Sequence, residues 1–248
     1  MKLPSLVLFA AAAAAGASAF AAEGPAVDAY ASDLHPPCWV QLCIADPSQY
    51  PQSSYDVEIF RFSLFHGMSH DVTGFDLGLV GCASGTFRGL AVQAVNRVEG
   101  EALGMQVGAL FNAVGGNAYG LQVGGVVNCN SALFAGAQIA SVVNFNATFA
   151  GFQLAAVNWN KTLGQGLKVG FANVDENEFH GWAIGAVNCA DSMYGLQIGA
   201  VNVITKIGRG VQIGVFNAAD LYSGLQIGAL NLIGNATLPV LPVVNANF

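Results

Sequence analysis

One short unit recurs along the sequence and is clearest in three consecutive copies. These are Gly195-Leu-Gln-Ile-Gly-Ala-Val-Asn202, Gly210-Val-Gln-Ile-Gly-Val-Phe-Asn217 and Gly224-Leu-Gln-Ile-Gly-Ala-Leu-Asn231. Each copy has the form Gly-Φ-Gln-Φ-Gly-x-Φ-Asn, in which Φ is an apolar residue, and its residues are numbered here as positions 1 to 8. Self-similarity at a short, fixed period indicates a repeat architecture, so this unit decides the fold.

With the three quoted copies included, the unit occurs eleven times between Gly74 and Asn231, with a mean period of 15 residues. Position 1 is Gly and positions 2 and 4 are apolar in all eleven units, position 3 is Gln in seven, and Asn closes ten. The first glycines are Gly74, Gly89, Gly104, Gly120, Gly136, Gly151, Gly166, Gly181, Gly195, Gly210 and Gly224. This strict alternation over positions 1 to 6 predicts a β-strand rather than a helix, which needs a period of 3.6 residues.

The alternation divides each predicted strand into two faces. Apolar side chains occupy positions 2, 4 and 6, and Gly, Gln and Gly occupy positions 1, 3 and 5. We expect the apolar face to form the core, with Leu196, Ile198, Leu225 and Ile227 buried in adjacent columns. The Gly-Gln-Gly face then lies on the opposite side of the strand.

Two architectures remain open for these strands. Outer-membrane barrels turn apolar side chains to lipid, and residues 102–160 contain no Asp, Glu, Lys or Arg, while the chain ends on Phe248. Barrels, however, alternate short turns with long loops, whereas the connections here are all alike. We therefore predict an all-β repeat β-solenoid of about eleven 15-residue coils behind a short N-terminal segment. An outer-membrane antiparallel β-barrel is the alternative, and the strand order distinguishes the two.

A column of asparagines follows from the stacking of identical coils. Side-chain amides in such a column can bond to the coils above and below, as Asn and Gln ladders do in cross-β structures. The predicted structural ladder comprises Asn158, Asn173, Asn188, Asn202, Asn217 and Asn231.

The glutamines of position 3 form the candidate interaction face, represented by Gln197, Gln212 and Gln226. Exposed, this uncharged face would offer hydrogen bonds to a partner chain, a second copy or a polysaccharide. Covered, its amides would bond along the stack instead. The sequence leaves both readings open.

The chain divides into four segments by composition. Lys2, an apolar run and Ala19-Phe20-Ala21 predict a signal peptide over residues 1–21. Residues 22–73 are predicted as an acidic N-terminal segment and cap, because Arg61 is their single basic residue beside seven acidic ones. Residues 74–234 are the predicted repeat β domain, and residues 235–248 are a C-terminal tail.

Three groups of residues could carry chemistry, and each has an ordinary structural explanation. His66 and His70 have the spacing of metal ligands on a helix, but Gly67 and the strand pattern favour a polar turn. The acidic stretch from Asp175 to Glu178 could hold Ca²⁺ or supply carboxylates, but a solvated turn explains it equally well. Cys38 and Cys43 could pair as a disulfide in an oxidising compartment. We predict no catalytic, cofactor-binding or metal-binding residue and no cofactor.

Composition limits the class of function. Only 9% of the residues are charged and 54% are hydrophobic, which excludes intrinsic disorder. The formal net charge of −7 and the lack of a basic cluster argue against nucleic acid as a partner.

The three quoted copies resemble the repeats of a family of bacterial surface-repeat proteins, which carry many G-[LV]-Q-[IL]-G-x-[VI]-N units behind a signal peptide. The stretches Phe60-Arg-Phe-Ser-Leu-Phe65 and Val72-Thr-Gly-Phe-Asp-Leu-Gly-Leu79 are similar to its lead-in. The resemblance implies export and exposure at the cell surface, outer membrane or periplasm of a bacterium, and it implies no activity. We expect a non-enzymatic protein for surface display, adhesion, or interaction with proteins or glycans. Self-association and membrane association are left open, and an outer-membrane β-barrel or pore-type protein is the alternative.

Overall fold

The computed structural model describes residues 35–45 and 48–248, and these residues form strands and turns without any helix. The predicted signal peptide and residues 22–34 lie outside the described residues. The strands are β1 Pro37–Ala45, β2 Ser48–Tyr50, β3 Asp56–Ser69, β4 Val72–Ala83, β5 Phe87–Val98, β6 Ala102–Val114, β7 Ala118–Gly124, β8 Val127–Ala140, β9 Val143–Leu154, β10 Val157–Asn160, β11 Leu163–Ile198, β12 Val201–Ile213, β13 Phe216–Ile233 and β14 Val240–Asn247.

Successive coils stack in parallel and in register. Gly195 lies beside Gly210, and Gly210 lies beside Gly224 in the next coil. The order of strands in the sheet follows the order in the chain from β3 to β14. The fold is a β-solenoid of about thirteen coils. The predicted solenoid is confirmed, and the parallel pairing of neighbouring coils excludes the antiparallel barrel.

The stack begins before the first recognisable unit. β1 pairs in parallel with β3, and β3 pairs in parallel with β4, so that Gln41, Arg61 and Asp76 occupy position 3 of three consecutive coils. The change in charge composition near residue 73 therefore falls inside the solenoid rather than at its edge.

Antiparallel strands close both ends of the stack. β2 folds back on β1, and β14 folds back on β13, where Gly224 lies opposite Asn247. Short returning strands of this kind cover the unpaired backbone groups that an open sheet edge would offer to another chain. The predicted C-terminal tail thus contains the strand that caps the last coil.

Position 1 requires glycine for two reasons. From Gly74 to Gly224 these residues have φ between +100° and +153°, a region that other residues rarely adopt. A Cβ atom at Gly210 would also lie 2.0 Å from the carbonyl oxygen of Gly195 in the coil below. The invariance of this glycine is therefore a consequence of the close stacking of the coils.

The interior of the solenoid is the reverse of the predicted one. It is built from four columns: the position 3 residue, the Asn, the second residue after the Asn, and the second residue before the next Gly. The first two are largely polar. The third is polar only in the middle coils and elsewhere holds apolar residues such as Val114 and Ile204. The last contains buried apolar side chains such as Phe134 and Phe149.

The predicted inward face therefore points outward. Leu196, Ile198 and Leu225 are half-buried, and Ile227 is 38% exposed. The physical reason is a bend at positions 5 and 6, for example at Gly199 and Ala200. Because the chain turns there, the alternation of inward and outward side chains starts again. The position 3 side chain and the Asn at position 8 therefore both point inward, although one position is odd and the other even.

Candidate functional site

The asparagine ladder runs through most of the solenoid. Ten side chains from Asn96 to Asn231 lie in one buried file, and each of the first nine donates from Nδ2 to the Oδ1 of the next at 2.7–3.0 Å. Asn188 also donates to the carbonyl oxygen of Ile198 at 3.0 Å. The six predicted members, Asn158, Asn173, Asn188, Asn202, Asn217 and Asn231, all belong to this file.

The ladder depends on the small residue at position 5. A Cβ atom at Gly199 would lie 2.7 Å from Nδ2 of Asn188, and a Cβ at Gly214 would lie 2.6 Å from Nδ2 of Asn202. The recurring Gly at position 5 and Asn at position 8 therefore belong to one packing arrangement. The Asn amide occupies the space that a side chain at position 5 would fill.

The glutamines of position 3 are inside the solenoid. Gln197, Gln212 and Gln226 are at most 1% exposed. Gln226 donates to Gln212 at 2.6 Å, and Gln212 donates to Gln197 at 2.7 Å. The structure thus overturns the exposed interaction face and shows the covered arrangement. These amides donate toward the N-terminal end, whereas the Asn ladder donates toward the C-terminal end.

A second set of asparagines completes this network in the middle coils. Asn146 donates to Oε1 of Gln138 at 2.7 Å and accepts from Nε2 of the same residue at 3.1 Å. Asn130 pairs in the same way with Gln122. Our sequence reasoning missed these residues, although the signal is present as the repeated Asn-x-Asn at residues 128–130, 144–146 and 158–160.

One coil replaces the neutral amide pair by a charged pair. Lys168 stands in the Gln column, Asp175 stands two residues after Asn173, and Lys168 Nζ donates to Asp175. Burial lowers the pKa of Lys168, and the charge of Asp175 opposes that shift. Burial raises the pKa of Asp175, and the charge of Lys168 opposes that shift in turn. The charge of each group thus counteracts the effect of burial on the pKa of the other.

A second buried ion pair lies near the N-terminal end. Arg61 donates through Nε and Nη2 to the two carboxylate oxygens of Asp76, at 2.8 and 2.5 Å, and through Nη1 to the carbonyl oxygen of Cys82 at 2.7 Å. The cavity beside this pair has a volume of about 10 Å³. That is roughly the space of one water molecule, and it is too small for an organic substrate.

The two histidines singled out in the sequence do not form one site. His66 lies 3.6 Å from Cys82 Sγ, whereas His70 Nδ1 lies 3.1 Å from Asp56 Oδ1 at another corner of the coil. There the ring of His70 stacks on His35, with centroids 3.6 Å apart and planes within 8° of each other. His35, Asp56 and His70 are close enough to share an ion. The parallel rings direct their nitrogen lone pairs side by side, however, so one ion cannot lie in both ring planes.

The acidic corner is also dispersed. Asp175 points inward to Lys168, Glu176 accepts a hydrogen bond from Trp159 Nε1 at 2.9 Å, and Glu178 pairs with His180 at 2.6 Å. Three carboxylates that are neighbours in sequence thus have three different partners. This arrangement does not converge on a common ion or on a scissile bond.

None of the five cysteines, all of which lie in the described part of the chain, forms a disulfide. Cys38 and Cys43 lie on the single extended strand β1, where five residues span about 16 Å, so the disulfide considered from the sequence does not form. Cys129 is fully buried, and burial raises its pKa to about 12. Burial also raises the pKa of Cys38, Cys82 and Cys189, which disfavours the nucleophilic thiolate form.

The most extensive surface feature is the outer apolar face, which we define as the side chains at positions 2, 4 and 6 of every coil. It begins with Val40, Leu42 and Ile44, and it ends with Ala246 and Val244 of β14 beside Leu225 and Ile227. None of its side chains from β1 to β13 is buried. Within the described coils it contains one polar side chain, Ser141, and no charged one.

The charged groups are concentrated elsewhere on the surface. In the coils that carry the Asn, the solvent-facing charged side chains follow the Asn and precede the next Gly, as Lys161, Lys206 and Asp220 do. The cross-section therefore has buried amide columns beside buried apolar clusters, charged side chains between the Asn and the next Gly, and the outer apolar face on another side. Monomeric soluble proteins rarely expose contiguous apolar patches larger than about 600 Å².

Comparison with protein-family models, with curated proteins and with solved structures finds no match to this chain. Within residues 35–45 and 48–248, no helix has the length and apolarity needed to cross a membrane.

Proposed function

We propose that this chain is an exported, non-enzymatic repeat protein of the bacterial cell surface that acts by binding a partner through its outer apolar face. The observation that carries the proposal is the uncharged composition of that face from β1 to β14. A face of this size is costly to leave in water, because each Å² of apolar surface removed from water contributes about 25 cal/mol. Its retention in every coil is explained by a binding role.

The arrangement of the interior supports a function on the outside of the solenoid. Amide ladders and the buried columns beside them occupy the centre of the stack. The cavity at Arg61 and Asp76 has room for about one water molecule. A ligand larger than this does not fit that cavity, which favours recognition by the surface.

A membrane-associated protein is the second candidate function, and the same apolar face favours it. An uncharged, aliphatic sheet surface can enter the boundary between lipid headgroups and acyl chains. The two candidates differ in partner, and they agree in the prediction of export.

Display at the cell surface can be tested with the lysines of the chain. After residue 21 the sequence contains three, Lys161, Lys168 and Lys206. Lys206 has a side chain that is 63% exposed, whereas that of Lys168 is 0% exposed. The full chain is produced in a Gram-negative host, and intact cells are treated with a membrane-impermeant amine reagent. We expect mass spectrometry to find the reagent on Lys161 and Lys206 and a chain that begins at Ala22.

Lys168 is the internal control, because a folded chain protects it in intact cells and in lysate alike. Labelling of Lys161 and Lys206 only after lysis would contradict surface display. An Ala21→Asp variant, which places a charge at the predicted cleavage site, should keep its leader and lose the labelling.

A further inference from the structure

We infer that the partner of the outer apolar face is a second copy of this chain, packed face to face about a twofold axis. This inference deepens the proposed function by naming the partner of the same face. It follows from the area, the flatness and the charge distribution of that face.

The area of the face matches the requirement of a stable dimer. The face has fourteen rows, thirteen from the coils and one from β14, which span roughly 62 Å at about 4.8 Å per row, and positions 1 to 5, up to the bend, span about 13 Å along each row. The product is about 800 Å² per copy, which is the typical burial per partner in specific interfaces, about 800 Å². A single second copy is therefore sufficient to cover the face.

The regular stacking makes the face self-complementary. Equivalent side chains form straight columns, for example Leu196, Val211 and Leu225 at position 2. Two ribbed sheet surfaces of this kind can interdigitate at about 10 Å, as the sheets of a β-sandwich do. A twofold axis requires the same patch on both copies, and a uniform face meets that requirement along its whole length.

The charge distribution favours a second copy over lipid. Membrane-surface elements generally carry Lys and Arg beside their apolar side, which attract anionic lipid. The residue before position 1, which borders the face, is Arg or Lys in only two of the described coils, at Arg88 and Arg209, and it is acidic at Glu58, so the face has no basic rim. With a formal net charge of −7, the chain as a whole is repelled by anionic membranes.

The first test measures the mass of the exported chain in detergent-free solution by sedimentation or light scattering. The parent should have twice the mass of one chain. A triple variant Val92→Lys, Leu154→Lys and Ile213→Lys places one charge on the face in every fourth coil or so. The three side chains are 38–40% exposed, so we expect a folded chain of half the parent's mass.

A matched control carries the same number of charges away from the face. The triple variant Ser131→Lys, Asn177→Lys and Leu221→Lys alters exposed residues that lie between the Asn and the next Gly. It should keep the mass of the parent. Circular dichroism and thermal melting of both variants separate loss of association from loss of folding.

The second test locates the axis. The coil that begins at Gly136 is the middle one, and Ile139 at its position 4 is 37% exposed. A twofold axis through the centre of the face brings Ile139 opposite its own copy, whether the two solenoids run parallel or antiparallel. An Ile139→Cys variant should therefore cross-link to a dimer with a thiol reagent that reaches across the ~10 Å between packed sheets. Leu103→Cys and the parent, which carries the native thiols, should not.

Monomeric parent protein without detergent would overturn the inference. Flotation of the chain with phosphatidylcholine vesicles, together with loss of the dimer, would overturn it in favour of a membrane. A dimer that persists in the face variant and resists Ile139→Cys cross-linking would also overturn it, because association would then use another surface. None of these outcomes changes the lysine labelling of intact cells, so failure of the dimer and failure of surface display are distinguishable.

Discussion

At the scale of single residues, the unusual feature is a pair of buried amide columns in which most amides bond to one another. Each Asn of the ladder before Asn231 donates to the next Asn and to a backbone carbonyl, as Asn202 does to Asn217 at 2.8 Å and to Ile213 at 3.0 Å. A buried amide is costly only when it lacks partners. The regular spacing of the coils supplies those partners, and so identical polar residues can be stacked where apolar ones are usual.

Replacing Asn202 by Leu tests this account. The substitution removes the bond that Asn202 accepts from Asn188 and the bonds that it donates to Asn217 and to the carbonyl of Ile213. We expect a loss of about 1–3 kcal/mol in the free energy of unfolding, measured by denaturant titration. Asn177→Leu is the control, because Asn177 is exposed. Equal stability of the two variants would show that the ladder is not stabilising.

At the scale of the coil, one part of the arrangement was predictable and another was not. The Asn column followed from the repeat, because parallel stacking places equivalent residues in register. The inward face did not, because alternation defines two faces without showing which is inside. The bend at Gly199 and Ala200 resets the alternation, and a bend leaves little trace in a sequence where Gly recurs at positions 1 and 5 for different reasons.

The coil with Lys168 and Asp175 offers a test of whether a buried amide pair can replace a buried charged pair. Breaking a buried ion pair by removing one charge typically costs about 3–5 kcal/mol, whereas replacing both partners is often neutral or stabilising. Lys168→Gln and Asp175→Asn together recreate the pair that Gln153 and Asn160 form in the coil before. We therefore expect each single variant to be strongly destabilised and the double variant to recover the stability of the parent.

Denaturant titration of the four chains forms a double-mutant cycle for this coil. A strongly favourable coupling between Lys168 and Asp175 is the expected result. Additive losses would mean that the two side chains stabilise the coil independently, and the geometry of the pair would then have no energetic role.

At the scale of the whole molecule, stability is shared between neighbouring coils, and the two ends are the vulnerable points. An uncapped solenoid presents a row of unpaired backbone groups that can add another chain by edge pairing. β2 and β14 cover these rows at the two ends. The molecule thus has two distinct ways to associate, through its outer apolar face and, when uncapped, through its edges.

Deletion of Val240–Phe248 separates these two modes. The truncated chain exposes the edge of β13 and removes the carbonyl of Leu241 that accepts from Asn231 at 3.3 Å. Face-to-face pairing about a twofold axis stops at two copies, whereas edge pairing is head-to-tail and does not close. We therefore expect the truncated chain to form oligomers larger than a dimer, with rising thioflavin fluorescence. Removal of Phe248 alone, which is 95% exposed and lies beyond β14, should leave the mass unchanged. If the truncated chain keeps the mass of the parent, then β14 does not protect the edge, and the last coil must be closed by its own side chains.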